Sequence, residues 1–366
     1  MRHLLVGVLA LWLSVATPSA ARAAEPKSGK IRIIDCDAHI RSHRRGVCVN
    51  ELGPDDFRAI APGVSWYYNW YFEPGDSTPP AGVDMEFLPM LWGLAPELLA
   101  GFERYLAAGH KPRAVLAINE PNLRGQAFIT PAETAALYKK AKAVADRHGI
   151  PVVVGPHMAL GSAPGDSITA RDPIEDEDVT YTFMVPFLKA FLHHLDPKDV
   201  GATAFHSYGN LGEMRWAVGL MHKEFGGRPT WVTEYNLTDP PTEAAAIEYL
   251  VRATDFLERT PHVHGYAWFK ERADGHPHIS LFEREPGKLS ALGRAYVALP
   301  SHDADVYYRL PGRLAAAKYV ALDGMEISPA TDGNGFTMGS EQPGGWLDYN
   351  VHVERPGAYQ VRLRVA

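Results

Sequence analysis

Two carboxylates stand at the ends of apolar, strand-like runs. Glu120 closes AVLAI-NE-PN (114 to 122) beside Asn119, and Glu234 closes TWVTEYN (230 to 236). In a barrel of alternating strands and helices the chemistry sits at the C-terminal strand tips, so this pair is a candidate acid and nucleophile. The neighbouring runs deliver Trp66, Asn69 and Trp70 (from GVSWYYNW), Trp92 (EFLPMLW), His206 and Tyr208 (VGATAFHSY) and Trp268 (VHGYAWF). Two carboxyls among amides, an imidazole and indoles are the inventory of a sugar-cleaving site. One carboxyl protonates the leaving oxygen, the other attacks the anomeric carbon, and rings cover the apolar faces of pyranoses. A retaining pair lies about 5 to 5.5 Å apart and an inverting pair about 6.5 to 9.5 Å. At the shorter distance two ionised carboxylates repel, so one pKa is expected to rise and its owner to serve as the acid. His206 is placed to hold Glu234 or Tyr208.

Eight such runs must position these groups: 46–49, 63–69, 86–92, 114–119, 151–157, 200–208, 230–236 and 263–269. Between them lie helical stretches with recognisable ends. In TPAETAALYKKAKAVADRHG, Thr130 caps, Pro131 takes the first turn, Glu133 completes a capping box and Gly149 stops the helix. Thr242 caps the stretch to Arg259 in the same way. Strands that alternate with helices pair in parallel, and eight of them predict a (β/α)8 TIM barrel rather than an open doubly wound sheet. The polar stretch 161–178 is longer than most such connections and is expected to shape the site or to be a mobile acidic surface loop. Pro121 ends the strand that carries Glu120. Strict alternation would put Asn119 and Glu120 on opposite sides, so both reach a substrate only if the backbone is irregular there.

The chain has 366 residues, 46% hydrophobic and 22% charged, enough for one large domain and something smaller. Residues 1–24 read as a signal peptide, with Arg2 before a short apolar stretch and A-R-A at its end, which predicts a secreted or periplasmic protein. The formal charge is -7, and loss of Arg2 and Arg22 with the leader takes it to -9. Such a balance excludes nucleic acid and anionic membranes as natural partners. A monomer acting on a polysaccharide without a cofactor is the expectation. Cys36 and Cys48 are able to close one short loop in an oxidising compartment or to stay as two thiols. No G-x-S-x-G, H-E-x-x-H, P-loop or Rossmann glycine pattern occurs.

The division read from the chain is a catalytic domain over 25–300, a linker over 301–306 and a Gly-rich β segment over 307–366. In the last, WLDYNVHV and YQVRLRV alternate as half-buried strands around an ERPGA turn. About 60 residues are too few to close a β-sandwich, so a partial one is expected.

A rival reading starts from IIDCDAHI (33 to 40), which resembles the first strand of metal-dependent amidohydrolases. Asp37 and His39 with His157 and His206 would then hold a metal. Against it, H-x-H is reduced to D-A-H and the run 263–269 offers no Asp as a base. A barrel that binds glycan without cleaving it is the other alternative.

Taken in order, VSWYYNW, EFLPMLWG, LAINEPN, AFHSYG and WVTEYN resemble the catalytic core of glycoside hydrolase family 128 over about residues 45 to 300. That resemblance implies a retaining (β/α)8 enzyme acting on β-1,3-glucan, with Glu120 as acid/base, Glu234 as nucleophile and Asn119 as donor to the sugar 2-hydroxyl. The tail is similar to the first half of a family 6 carbohydrate-binding module. Ala315 and Ala317 stand where that module has acidic residues, so no structural calcium is implied there.

Overall fold

The computed structural model describes residues 30–333, 335–340 and 343–364; the expected leader lies outside them. In chain order the first half comprises β1 (Arg32–Ile34), β2 (Arg45–Cys48), α1 (Pro54–Ile60), β3 (Trp66–Tyr68), β4 (Glu86–Phe87), β5 (Met90–Leu91), α2 (Pro96–Ala107), β6 (Val115–Ala117), α3 (Pro131–Arg147) and β7 (Val153–Ala159). There follow a hairpin of β8 (Thr169–Arg171) and β9 (Asp178–Thr180), then α4 (Met184–His193), β10 (Ala202–Ser207), α5 (Leu211–Glu224), β11 (Thr230–Tyr235), α6 (Glu243–Arg259), β12 (Val263–Trp268) and α7 (Ala291–Ala298).

Nine of these strands form one sheet in the order β4-β3-β2-β12-β11-β10-β7-β6-β5, with every pair parallel. Its two end strands are the halves of the single run read from the sequence at 86–92. Only Leu88 and Pro89 separate them, so the curled sheet begins and ends on adjoining residues. Pro89 has no N–H to continue a ladder, yet Leu88 N donates to Tyr67 O at 3.0 Å and Pro89 O accepts from Leu116 N at 2.9 Å. The interrupted run thus bonds to both flanking strands.

Alternation along the strands sorts side chains into two cores. Trp66, Tyr68, Met90, Leu116, Ala204 and Trp231 fill the space enclosed by the sheet. Val47, Tyr67, Leu91, Phe205, Val232 and Trp268 face the helices. Gly46 and Gly265 make the enclosed core possible: a Cβ on either would overlap the indole of Trp66 or Trp231. The expected helix ends are present. Thr130 Oγ1 accepts from Glu133 N while Glu133 Oε2 accepts from Thr130 N, and Thr242 Oγ1 accepts from Ala245 N.

Opposite the strand tips, Arg45 is wholly buried. Its guanidinium donates to the carbonyls of Tyr296, Leu299 and Pro300 at 2.8 to 3.0 Å and lies 3.7 Å from Glu258. A charge out of water persists only when partnered in this way.

The rest of the chain forms β13 (Val306–Leu310), β14 (Ala321–Asp323), β15 (Glu326–Pro329), β16 (Phe336–Gly339), β17 (Trp346–Asp348) and β18 (Val351–Val353). β13 pairs in parallel with both β18 and the N-terminal β1, so Arg32–Ile34 joins the tail rather than the large sheet. The expected linker is packed: His302 Nε2 lies 2.9 Å from Asp255 Oδ1 on α6, which also accepts from Tyr319 OH at 2.5 Å. Two details differ from the sequence reading. The run 346–353 splits between two sheets, and residues 359–364 are exposed and form no strand, because no described strand lies alongside to bury their alternating face. Cys36 and Cys48 are free thiols, not a disulfide; the first donates to Arg309 O and the second to Thr233 O, on different elements.

Candidate active site

The Glu120 loop leaves regular strand geometry at the position the sequence requires. After Ala117, Ile118 and Glu120 take φ of 68° and 40°, a region that L-residues seldom enter. The first turn sends Ile118 outward among the helix-facing side chains. Asn119 and Glu120 then both line the cleft at the strand tips. Ile118 N donates to Leu91 O, Asn119 N to Trp92 O and Glu120 N to His157 O, at 2.7 to 2.9 Å, so the ladder survives the twist. Asn122 clamps the loop to the end of β7, with its amide donating to Ala159 O and accepting from Ala159 N.

Glu234 reaches the cleft by a different irregularity. Phe205 pairs with Val232 but His206 pairs with Glu234, leaving Thr233 as an extra residue on β11. Trp231 points into the enclosed core, and the bulge lets both Thr233 and Glu234 follow it to that side.

One imidazole sits between the carboxylates. His206 Nδ1 donates to Glu120 Oε1 at 2.8 Å and lies 3.5 Å from Glu234 Oε2. These two lengths cap the separation of the two oxygens at their sum, below the ~6.5 Å at which inverting pairs begin. Burial pushes the His206 pKa down, but Glu234 and Glu120 together raise it above the ordinary 6.5. His157, buried behind it against Thr233 Oγ1 at 2.7 Å, is driven well below 6.5 by burial and by His206, and stays neutral.

The two carboxylates are held unequally. Glu234 Oε1 accepts from Trp70 Nε1 at 2.7 Å and Tyr68 OH at 3.0 Å, and its Oε2 accepts from Tyr208 OH. Burial above all, with Glu234 contributing, raises both tyrosine pKa values, so each phenol remains a donor. Among the described residues, Glu120 is tied through one oxygen, Oε1. Asn119 donates from Nδ2 to Gln126 Oε1 at 3.0 Å, which engages one of its two amide hydrogens.

The cleft has a volume of about 940 Å³, the upper range for a small-molecule site. Of the residues expected there, Asn119, Glu120, Glu234, Trp70, Trp92, His206 and Tyr208 line it. Three do not. Trp66 is fully buried at the floor of the enclosed core, edge-on to Trp231 at 5.4 Å and donating to Arg44 O. Trp268 points to the helix side, buried against Tyr235 and donating to Ile279 O. Asn69 caps a turn, accepting from Tyr71 N and donating to Glu73 O. Alternation explains two of them, since Tyr68 and Phe269 carry the cleft-side parity in their strands and Asn69 and Trp268 the other; Trp66 shares the parity of Tyr68 but lies deeper, on the floor of the enclosed core. Tyr68, Phe269, Asn50 and Lys270 were missed, the first two being recoverable from parity. Of the stretch 161–178 only its first residue, Gly161, lines the cleft among the described residues, and it bridges Phe183, which lies past the other end and lines the cleft as well.

Asp37, His39, His157 and His206 do not converge, and no three His, Cys, Asp or Glu side chains among the described residues are disposed to hold a metal.

The family model described as "Glycosyl hydrolase catalytic core" matches residues 46–296, over half of the chain. No match to this chain was found among curated proteins. Among solved structures, a GH128 (subgroup II) endo-beta-1,3-glucanase from Sorangium cellulosum is 29% identical, with a TM-score of 0.59 over 71% of this chain and 99% of that one. Its counterpart from Pseudomonas viridiflava is 28% identical at the same TM-score and coverage. A GH128 (subgroup III) curdlan-specific exo-beta-1,3-glucanase from Blastomyces gilchristii is 25% identical, with a TM-score of 0.53 over 69% and 97%. The resemblance to family 128 read from the motifs is upheld, and the chain belongs to the glycosyl hydrolase catalytic core family as a glycoside hydrolase.

Proposed function

We propose that this glycoside hydrolase is an exported, retaining endo-β-1,3-glucanase in which Glu234 is the nucleophile and Glu120 the acid/base. The observation that carries the reading is the single imidazole nitrogen within 2.8 Å of one carboxylate and 3.5 Å of the other, which keeps their nearest oxygens below the ~6.5 Å at which inverting separations begin. The unequal holding of the two carboxylates supports the division of labour. Tyr68, Trp70 and Tyr208 fix both oxygens of Glu234 for attack, whereas Glu120 keeps an oxygen for the leaving group.

In the first step Glu234 attacks the anomeric carbon, the glycosidic C–O bond breaks, and Glu120 gives its proton to the departing oxygen. In the second, Glu120 takes a proton from water as that water attacks the same carbon and Glu234 is released. The glucan assignment draws on the likeness to the two subgroup II endo-beta-1,3-glucanases. We read the curled sheet as the closed (β/α)8 barrel, with 86–91 counted as one strand, the tail as a partial carbohydrate-binding-type β segment, and the protein as a monomer. Replacing Glu234 by Gln is expected to abolish sugar release from laminarin while leaving the fold and oligosaccharide binding intact. Glu234→Ala with azide is expected to yield an α-glycosyl azide, because azide enters from the face that the carboxylate occupied. An active Glu234→Gln enzyme overturns the assignment, and a wild type that binds laminarin without cleaving it supports the non-catalytic alternative.

A further inference from the structure

Two aromatic rings in the cleft have no part in the chemistry above. Phe183 and Trp216 stack with centroids 5.7 Å apart and planes 29° apart, and both line the cleft that holds Glu120 and Glu234. Trp216 stands on α5, whose buried face is supplied by Met214, Ala217, Val218 and Met221. It is therefore no core residue of that helix, and it is 53% exposed. Stacked on Phe183 and facing the cleft, its indole offers an apolar surface beside the catalytic carboxylates.

Its support is rigid. Phe183 is pinned where the long 161–183 excursion closes, by the bridge to Gly161 and by Met184 N donating to Leu160 O. One turn earlier on α5, Glu213 lies at the three-residue spacing that shares a helix face with Trp216, and it also lines the cleft. An aromatic plane beside a carboxylate acceptor suits a pyranose, whose C–H face is apolar and whose rim is hydroxylated.

Position in the sheet says which sugar this is. Leu123, Leu160, Phe183 and Trp216 follow β6, β7 and β10, on the Glu120 side of the cleft. Asn50, Trp70, Phe269 and Lys270 follow β2, β3 and β12, on the far side of Glu234. The acid stands beside the leaving group, and the nucleophile beside the sugar whose carbon it attacks.

Resting on the glucanase reading, we propose that Trp216, backed by Phe183 and flanked by Glu213, is a platform for a glucosyl unit on the leaving-group side of the scissile bond. It thereby sets dependence on chain length and favours sugar acceptors over water.

The test compares kcat/KM for laminarihexaose, which spans both sides, with that for β-laminaribiosyl fluoride, whose leaving group is no sugar. Trp216→Ala is expected to lose about ten- to a hundredfold more on the hexaose than on the fluoride, and Trp216→Phe to recover most of that difference. Equal losses on the two substrates, or none on either, overturn the platform while leaving the glucanase reading intact. A wild type that turns over neither substrate overturns the glucanase reading and the platform with it.

Discussion

Trp70 donates its indole N–H to Oε1 of Glu234 over 2.7 Å. The bond reaches from the tip of β3 to β11, three strands away in the sheet, and Trp70 makes it from a left-handed backbone with φ of 61°. A ring that the sequence offers as a sugar platform is therefore also a positioning donor to a carboxylate. Trp70→Phe keeps the ring and deletes the donor. The expected result is a fall in kcat on laminarin of about ten- to a hundredfold, the worth of a charge-assisted hydrogen bond, with little change in melting temperature.

His206 supplies a pH dependence whose sign is fixed by its neighbours. Its folded pKa is raised above 6.5, so the stability it contributes is complete below pH 6.5 and is lost as pH rises through the raised value. Imidazole NMR is expected to show that pKa falling in both Glu120→Gln and Glu234→Gln. In thermal melts across pH 5 to 9, His206→Gln should lose this alkaline slope; a slope unchanged in the variant would refute the role.

Arg45 seals the end of the sheet opposite the cleft. Arg45→Met leaves the carbonyls of Tyr296, Leu299 and Pro300 buried without this donor, and leaves the buried Glu258 without its cation although Ser42 and Tyr266 still donate to it. Urea unfolding is expected to show a loss of about 3 to 5 kcal/mol, far more than the ~0–1 kcal/mol of a surface ion pair such as Arg58 with Asp55.

Asp255 ties the tail to α6. Burial raises its pKa, but His302 first, then Tyr319 and Arg259, lower it below the ordinary 3.8 on balance. Its contribution is present above pH 3.8 and is lost as pH falls through the lowered value. Asp255→Asn should cost about 1 to 3 kcal/mol at neutral pH. In the variant, the gap from wild type should narrow in melts recorded towards pH 3.

Much of this was legible in the linear chain because it depends on local rules. Apolar runs alternating with capped helices specify a parallel α/β sheet, and Thr130, Glu133 and Thr242 mark helix starts by hydrogen bonds that span three residues. Glu120, Glu234, Asn119, His206, Tyr208, Trp70 and Trp92 could be named in advance because each ends such a run. What the sequence alone left open turned on which way a side chain faces and what lies across from it. Trp66 and Trp268 look no different from Trp70 in composition, yet one fills the space beside Gly46 and the other faces the helices. Glu120 and Glu234 reach the cleft through a pair of positive-φ residues and a one-residue bulge, and both depend on hydrogen bonds from strands distant in sequence. The same holds for β1, which finds β13 some 270 residues later, and for Trp216, on a helix where no strand end points to it. Short-range hydrogen bonding and hydrophobic period are written locally; contacts between distant segments exist only once the sheet has closed on itself.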